Sequence, residues 1–322
     1  MVTIICPTYN EADSVEKVLE FLTKAGPEQK EIIIVDGGST DGTPEKVVKW
    51  KSIFPNIKVL NNPNRYVPFA LNIALKNSTG NPIIRLDAHT EYSEDYIIKI
   101  LETFENTNAD IVGGPMIKKG RTIFQRASAY ATSSVFAIGN SKIHNTKFKG
   151  ITDHVYLGAW KRDLFSEMGY FDERFVRNQD DEFHYRAKSR GKKIYMNPDI
   201  KSYYYPRKNL LLLIVQFFQY GKYKPLVLAK ITSEIKLRHL VPPLFSLYLI
   251  ILPFVLLSFA TILPLFLYLI LVIYYSFFNG LRIIEKLNCM LIFPSLHLAY
   301  GFGFIWGIRL IFKKNKKSLF ID

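Results

Sequence analysis

The stretch Val241–Phe278 carries essentially no charge, and nothing else in the chain limits its fold as much. About 20 apolar residues suffice for a helix to cross a bilayer, because a helix satisfies its own backbone polar groups. A run of this length predicts a tight helical hairpin with its turn near Ser258–Ile262. Arg282, Glu285 and Lys286 interrupt the run, and Met290–Phe312 forms a third apolar segment. Three full crossings would put Lys313, Lys314, Lys316 and Lys317 on the outer side, against the tendency of basic segments to stay inside. Two to three transmembrane helices are therefore expected over 241–312, ahead of a basic tail at 313–322, with the C-terminal orientation open.

Before Val241 the chain has an ordinary globular mixture. Val2–Cys6, Glu31–Val35, Lys58–Leu60 and Pro82–Leu86 read as strands, and Glu16–Ala25, Pro44–Trp50 and Phe69–Asn77 as helices between them. The second strand is apolar throughout rather than alternating, as strands covered on both faces are. This rhythm predicts an α/β domain over 1–208 with a mainly parallel central sheet. Ligands of such sheets sit beyond the carboxyl ends of the strands, and the polar clusters of this sequence fall there. Asn209–Gly221 is apolar with a basic end, Lys222 and Lys224, and suits either a helix at the lipid surface or a buried core helix. Amphipathic interfacial helices are accordingly expected over 209–240.

The formal net charge is +14. Such an excess suits an anionic membrane face or anionic substrates, and Lys222, Lys224, Lys230, Lys236 and Arg238 are candidates to face anionic lipids. No basic module interleaved with aromatic residues points to nucleic acid. Cys6 and Cys289 lie far apart without metal-ligand spacing and read as apolar residues rather than a disulfide. Met1–Cys6 lacks a charged leader and ends at Pro7, so the globular part is expected in the cytoplasm.

Four polar clusters can carry chemistry. Pro7-Thr8-Tyr9-Asn10-Glu11 closes the first strand with a turn that lets backbone and the Tyr9 ring approach a flat base. Asp36 could accept from a uracil-like N–H with Asp41 in support, or the loop Asp36–Thr43 could simply be helix-entry chemistry. Asp87-Ala88-His89 places a hard and a borderline ligand at a strand end, which suits Mg²⁺ or Mn²⁺ on a diphosphate; the plain alternative is a surface Asp beside a locally satisfied histidine. Asn178-Gln179-Asp180-Asp181-Glu182 is either a solvated helix start favoured by the helix dipole or the source of a general base.

Pro7–Glu11, Val35–Thr43, Arg85–His89, Gly169–Glu173 and Asn178–Arg186 occur in the order and spacing of the family 2 glycosyltransferases, and residues 1 to about 224 resemble that family. Leu86–Thr90, Tyr156–Trp160, Gln216–Gly221 and His297–Gly301 resemble its membrane enzymes of the succinoglycan glucosyltransferase type. The resemblance implies a GT-A fold followed by transmembrane helices, and a multi-pass protein of the cell membrane with its catalytic domain in the cytoplasm. It implies an inverting transfer from a nucleotide diphosphate sugar, UDP-sugar favoured, to a polyprenyl-linked saccharide in cell-surface polysaccharide or glycan assembly. Pro7, Tyr9, Glu11, Asp36 and Asp41 would bind the nucleotide, Asp87 and His89 a divalent cation, Mn²⁺ or Mg²⁺, and Asp180 would be the catalytic base. Asp172, Glu173, Gln216 and Gln219 fall on the acceptor side. Three departures matter: Gln179 replaces the usual Glu beside the base, His89 replaces the second Asp of the metal motif, and Gln216–Tyr220 lacks the Arg and Trp of processive synthases. A polyprenyl-phosphate sugar synthase and a non-catalytic sugar-binding membrane protein are the alternative readings.

Overall fold

The structure, a computed structural model, describes residues 1–255 and 258–312. The expected basic tail lies outside the described residues.

The chain begins β1 (Val2–Thr8), α1 (Val15–Lys24), β2 (Lys30–Asp36), α2 (Thr43–Ile53), β3 (Ile57–Asn61), α3 (Val67–Lys76) and β4 (Ile83–Arg85). It continues through β5 (Glu91–Tyr92), α4 (Tyr96–Asn106), β6 (Ile111–Gly114) and β7 (Met116–Lys118), then α5 (Ile123–Ala131) and α6 (Val135–Ile138). After β8 (Gly150–Ile151), β9 (Tyr156–Trp160), α7 (Asp163–Met168), α8 (Gln179–Ser189), β10 (Ile194–Met196) and β11 (Ser202–Tyr204), the rest is helical. The helices are α9 (Leu210–Lys230), α10 (Leu237–Ile251), α11 (Phe259–Phe277), α12 (Ile283–Gly307) and the short α13 (Arg309–Phe312).

The described chain divides into two compact units, one of residues 1–117 and 142–204, the other of 118–141 and the helices from 205 onward. In the first, an eight-stranded sheet runs β3-β2-β1-β4-β9-β6-β10-β8. β1 pairs in parallel with β2 on one side and β4 on the other, whereas β9 runs antiparallel to both of its neighbours. Side chains alternate across a strand, so Ile4 and Cys6 of β1 enter one core with Val18, Leu19 and Leu22 of α1. Ile5 enters the other with Ala70, Leu71 and Ala74 of α3. Both faces are covered, which is why β1 and β2 lack alternation; each fully buried isoleucine adds about 2 kcal/mol of apolar stabilisation. The chain leaves β1 for β2 and β3 on one side and reaches β4 on the other, so the carboxyl ends of β1 and β4 flank the point where strand order reverses. Crevices for ligands form at such points.

In the second unit, α12 is the central element. Gly303 and Gly307 lie four residues apart on it, and a Cβ on either would collide with the α9 backbone at Phe218 and Lys222. Gly221 of α9 meets Tyr300 in the same way, so the helix backbones touch directly, as small residues permit. α5 also packs here: Arg126 Nε bonds Glu285 Oε1 at 2.5 Å, and Ala127 and Ala131 share a core with Cys289, Ile292 and Phe293. Segments Leu237–Phe254, Phe259–Phe277 and Ile283–Phe312 are long and apolar enough to cross a membrane.

Three features differ from expectation. Helix α11 already starts at Phe259, inside the turn expected near Ser258–Ile262, because Ser258 caps it, its Oγ accepting from Thr261 N. α9 runs on to Lys230, past the expected end at Gly221. Lys222 and Lys224 are buried by that continuation rather than turned to lipid, since one face of α9 lies against α12.

Candidate active site

Arg85 ends β4 and is buried, 4% exposed. Its Nε and Nη2 donate to Asp87 Oδ1 and Oδ2 at 2.9 and 3.2 Å. Its Nη1 donates to both oxygens of Asp180 at 2.7 and 2.9 Å. One planar guanidinium thus spans the tip of β4 and the first turn of α8 and holds the Asp87 and Asp180 carboxylates on its two sides. A lysine has no fork to do this.

Opposing effects act on Asp180, burial and the Arg85 guanidinium foremost. Burial favours its neutral form and is the larger; the Arg85 guanidinium favours the carboxylate; on balance its pKa lies above the ordinary value. Its side chain still keeps 26% exposure, enough for a hydroxyl to reach it. Asp180, Asp181 and Glu182 all occupy the first turn of α8, but they do different things. Glu182 is buried and pairs with Arg186, which also donates to Met168 O and Tyr170 O and so fastens α8 to the preceding segment. The acidic run is therefore part scaffold and part site.

The loops after β1 and β2 are laced together. Asp41 accepts from Thr43 through Oδ1 and from Ala12 N through Oδ2, and these bonds, Thr43 first, hold its pKa below the ordinary carboxylate value. Asn10, at φ 53°, accepts from Thr40 N, and its own N–H donates to Ser39 Oγ. Asp36 accepts from Gly38 N, Ser39 N, Ser39 Oγ and Thr8 Oγ1. Those four donors match the four lone-pair sites of a carboxylate, so in this conformation the loop occupies Asp36 fully. Tyr9 is partly exposed after Pro7, with the Arg65 guanidinium 5.0 Å from its ring centre.

Glu11 ties the Asp36 loop to the metal motif: its N–H donates to Thr43 Oγ1 of that loop, and its Oε1 lies 2.8 Å from His89 Nδ1. A ligating imidazole commonly donates from one nitrogen to a carboxylate and binds metal through the other, and His89 has this arrangement. Asp87 is steadied through its backbone, its N–H donating to Tyr92 Oη at 2.7 Å. Among the described residues no three His, Cys, Asp or Glu side chains form a ready cage.

Four further residues were expected on the acceptor side. Asp172 is held by Arg174 and Glu173 accepts from Asn72, both fixing the turn before α8. Gln216 and Gln219 belong to α9 in the other unit, where Gln216 donates to Tyr220 Oη. Arg85 and Tyr92 carry the site without having been singled out. Arg85 alone had a sequence signal: an arginine ending an apolar strand, two residues from an acid, must find a carboxylate.

The chain matches the Glycosyl transferase family 2 over residues 3–169. It is 35% identical to succinoglycan biosynthesis protein ExoA of Rhizobium meliloti (strain 1021) over 68% of this chain and 67% of that protein. It is 32% identical over 71% of this chain to a Methanococcus voltae protein, dolichyl N-acetyl-alpha-D-glucosaminyl phosphate 3-beta-D-2,3-diacetamido-2,3-dideoxy-beta-D-glucuronosyltransferase, covering 74% of it. Among solved structures, the mannosyltransferase PcManGT from Pyrobaculum calidifontis, in complex with GDP-Man and Mn²⁺, superposes with a TM-score of 0.61 at 20% identity, covering 90% of this chain and 86% of that one. S. aureus TarS 1–349 with UDP-GlcNAc does so at 0.52 and 16%, covering 91% and 90%. The structural likenesses show the GT-A fold.

Proposed function

The chain belongs to glycosyl transferase family 2, and from that premise we propose that it is a membrane-bound, non-processive, inverting transferase that moves a sugar from a nucleotide diphosphate donor, a UDP-sugar in the first instance, to a polyprenyl-linked saccharide. The observation that carries this reading is one Arg85 guanidinium paired with both Asp87 and Asp180. A transferase must grip a leaving diphosphate and activate an incoming hydroxyl within one site, and these two carboxylates stand close enough to do both.

In this mechanism Asp180 removes the proton of the acceptor hydroxyl as its oxygen attacks the anomeric carbon. The new carbon–oxygen bond forms while the bond to the diphosphate breaks on the opposite face, so the anomeric centre inverts. Burial raises the basicity of Asp180, and Arg85 keeps it ionised until the proton arrives. Asp87 and His89 would hold a divalent cation, Mn²⁺ or Mg²⁺, and Glu11 would orient His89. When bound, that ion neutralises charge building on the departing diphosphate. Pro7, Tyr9 and Asp41 would shape the nucleotide pocket, and Asp36 would read a base N–H by giving up one of its loop donors. Asp172, Glu173, Gln216 and Gln219 are assigned to the acceptor side. The apolar helices suit a lipid-linked acceptor, and the relative from Methanococcus voltae is named for a dolichyl-linked one.

The test is to incubate membranes containing the protein with UDP-glucose, UDP-N-acetylglucosamine and GDP-mannose, each labelled in the sugar, with and without Mn²⁺. Label appearing in the lipid extract with one donor, and lost on chelation, is the expected result. Absence of label from every extract while the donors are hydrolysed to free sugar would remove the lipid-linked acceptor from the reading.

A further inference from the structure

Next to the Arg85–Asp180 pair lies a histidine couple that the mechanism above leaves unused. His184 follows Asp180 by four residues on α8, so the two share a helix face, and Asp181 precedes it by three. His184 is 1% exposed, and its Nδ1 lies 2.7 Å from Nδ1 of His154, which precedes β9. Its Nε2 is buried and finds no hydrogen-bond partner among the described residues. His154 Nδ1 also stands 3.5 Å from Asp181 Oδ1, and its side chain keeps 23% exposure. His154 can therefore exchange protons with water, whereas His184 cannot.

Two ring nitrogens at 2.7 Å share one hydrogen. With both rings neutral, His184 Nδ1 donates and His154 Nδ1 accepts. The opposite tautomer would put an N–H on His184 Nε2, a buried donor with no acceptor, which is the costlier orphan. Protonating His154 at Nδ1 reverses the bond and forces that orphan onto His184. Burial, aided by His154 and opposed by Asp181, pushes the His184 pKa well below its ordinary value, so the added charge settles on His154. The charged groups around it are Asp180 and Asp181 of α8, Arg85 at the end of β4, and the Lys188–Asp153 ion pair. A charged His154 would favour ionised Asp180 and so weaken it as a base.

We propose that His184 is a positioning residue that keeps His154 neutral through this tautomer lock, so that at working pH no second cation stands beside Asp180, and that protonation of His154 sets the acid side of the transfer reaction's pH dependence. The proposal rests on the reading of Asp180 as the base. The test measures kcat/KM against pH for the full-length protein in membranes, using whichever of the three labelled nucleotide sugars named above is turned over. His184→Leu is expected to move the acid limb up by about one pH unit or more, because the orphaned donor no longer opposes protonation of His154. His154→Gln is expected to move it down by about one unit, to where the Asp180 carboxyl itself titrates. Should His184→Leu fail to reach the membrane, His154→Gln, at a partly exposed loop position, carries the test alone. Asp180→Asn in the same assay separates the two failures. Persistent turnover in Asp180→Asn removes the base and the premise with it. A silent Asp180→Asn, with the His154→Gln limb superimposed on that of the unaltered protein, leaves the couple merely structural and overturns the inference.

Discussion

At the scale of single residues, the site turns on Arg85. It is a buried cation flanked by two carboxylates that each accept two of its N–H bonds, and removing one partner of a buried ion pair costs more than the pair itself contributes. Arg85→Met should lower stability by about 3 kcal/mol at neutral pH. It also removes the larger of the effects that oppose burial at Asp180, so the Asp180 pKa rises further. A carboxyl whose folded-state pKa lies above its unfolded value stabilises the fold as pH falls through the folded pKa, and that contribution is lost above it. The stability deficit of Arg85→Met should therefore shrink as pH falls from neutrality, as read from thermal unfolding at each pH; a deficit independent of pH would contradict this account of the pair. Asp87 and Asp180 were singled out in the sequence because their spacing matches a family pattern. Arg85 was visible as a residue but its role was not, since the role lies in a contact across 95 positions of chain. Asp36 shows the converse: its position was legible, but not that its own loop would fill it.

At the scale of elements, composition located β1 to β4 and α1 to α3, because continuous β-rich runs and amphipathic spacing leave few alternatives once both faces of a sheet are covered; the shorter strands and helices from β5 onward carried no such pattern. The helical region was less legible. Apolar residues look alike whether they face lipid or another helix, so the sequence did not reveal that α9 lies backbone to backbone on α12. Glycines mark that contact. Gly303→Leu should force α9 from α12 and sharply reduce the amount of protein recovered from membranes. Gly280, with nothing near where a Cβ would sit, should accept alanine without effect. Equal recovery of the two variants, measured by quantitative immunoblot, would show that the crossing does not hold the helices together.

At the scale of the whole molecule, the division between the two units does not follow chain order. Residues 118–141 leave the sheet-bearing part of the sequence to pack with the helices of the second unit, through Arg126–Glu285, Tyr130 Oη to Tyr275 O, and Phe136 against His297. No local pattern announces such long-range pairing, and the sequence reading placed this segment within the domain expected over 1–208. Cutting the chain before Val241 would leave α5 and α9 without α12, exposing Leu213 and the Ala127–Ala131 face. The fragment 1–240 should consequently need detergent to stay in solution; a monodisperse fragment without detergent in size-exclusion chromatography would contradict the assignment of 118–141.

The account as a whole depends on Asp180 as the group that activates the acceptor, and Asp180→Asn tests this most directly because it removes the charge while keeping the shape. Single-turnover transfer from the labelled donor should fall by about 10³-fold or more, while affinity for the matching nucleoside diphosphate in the presence of Mn²⁺ stays within a few-fold of the unaltered protein. Transfer by Asp180→Asn at a rate close to that of the unaltered protein would show that the proton leaves by another route.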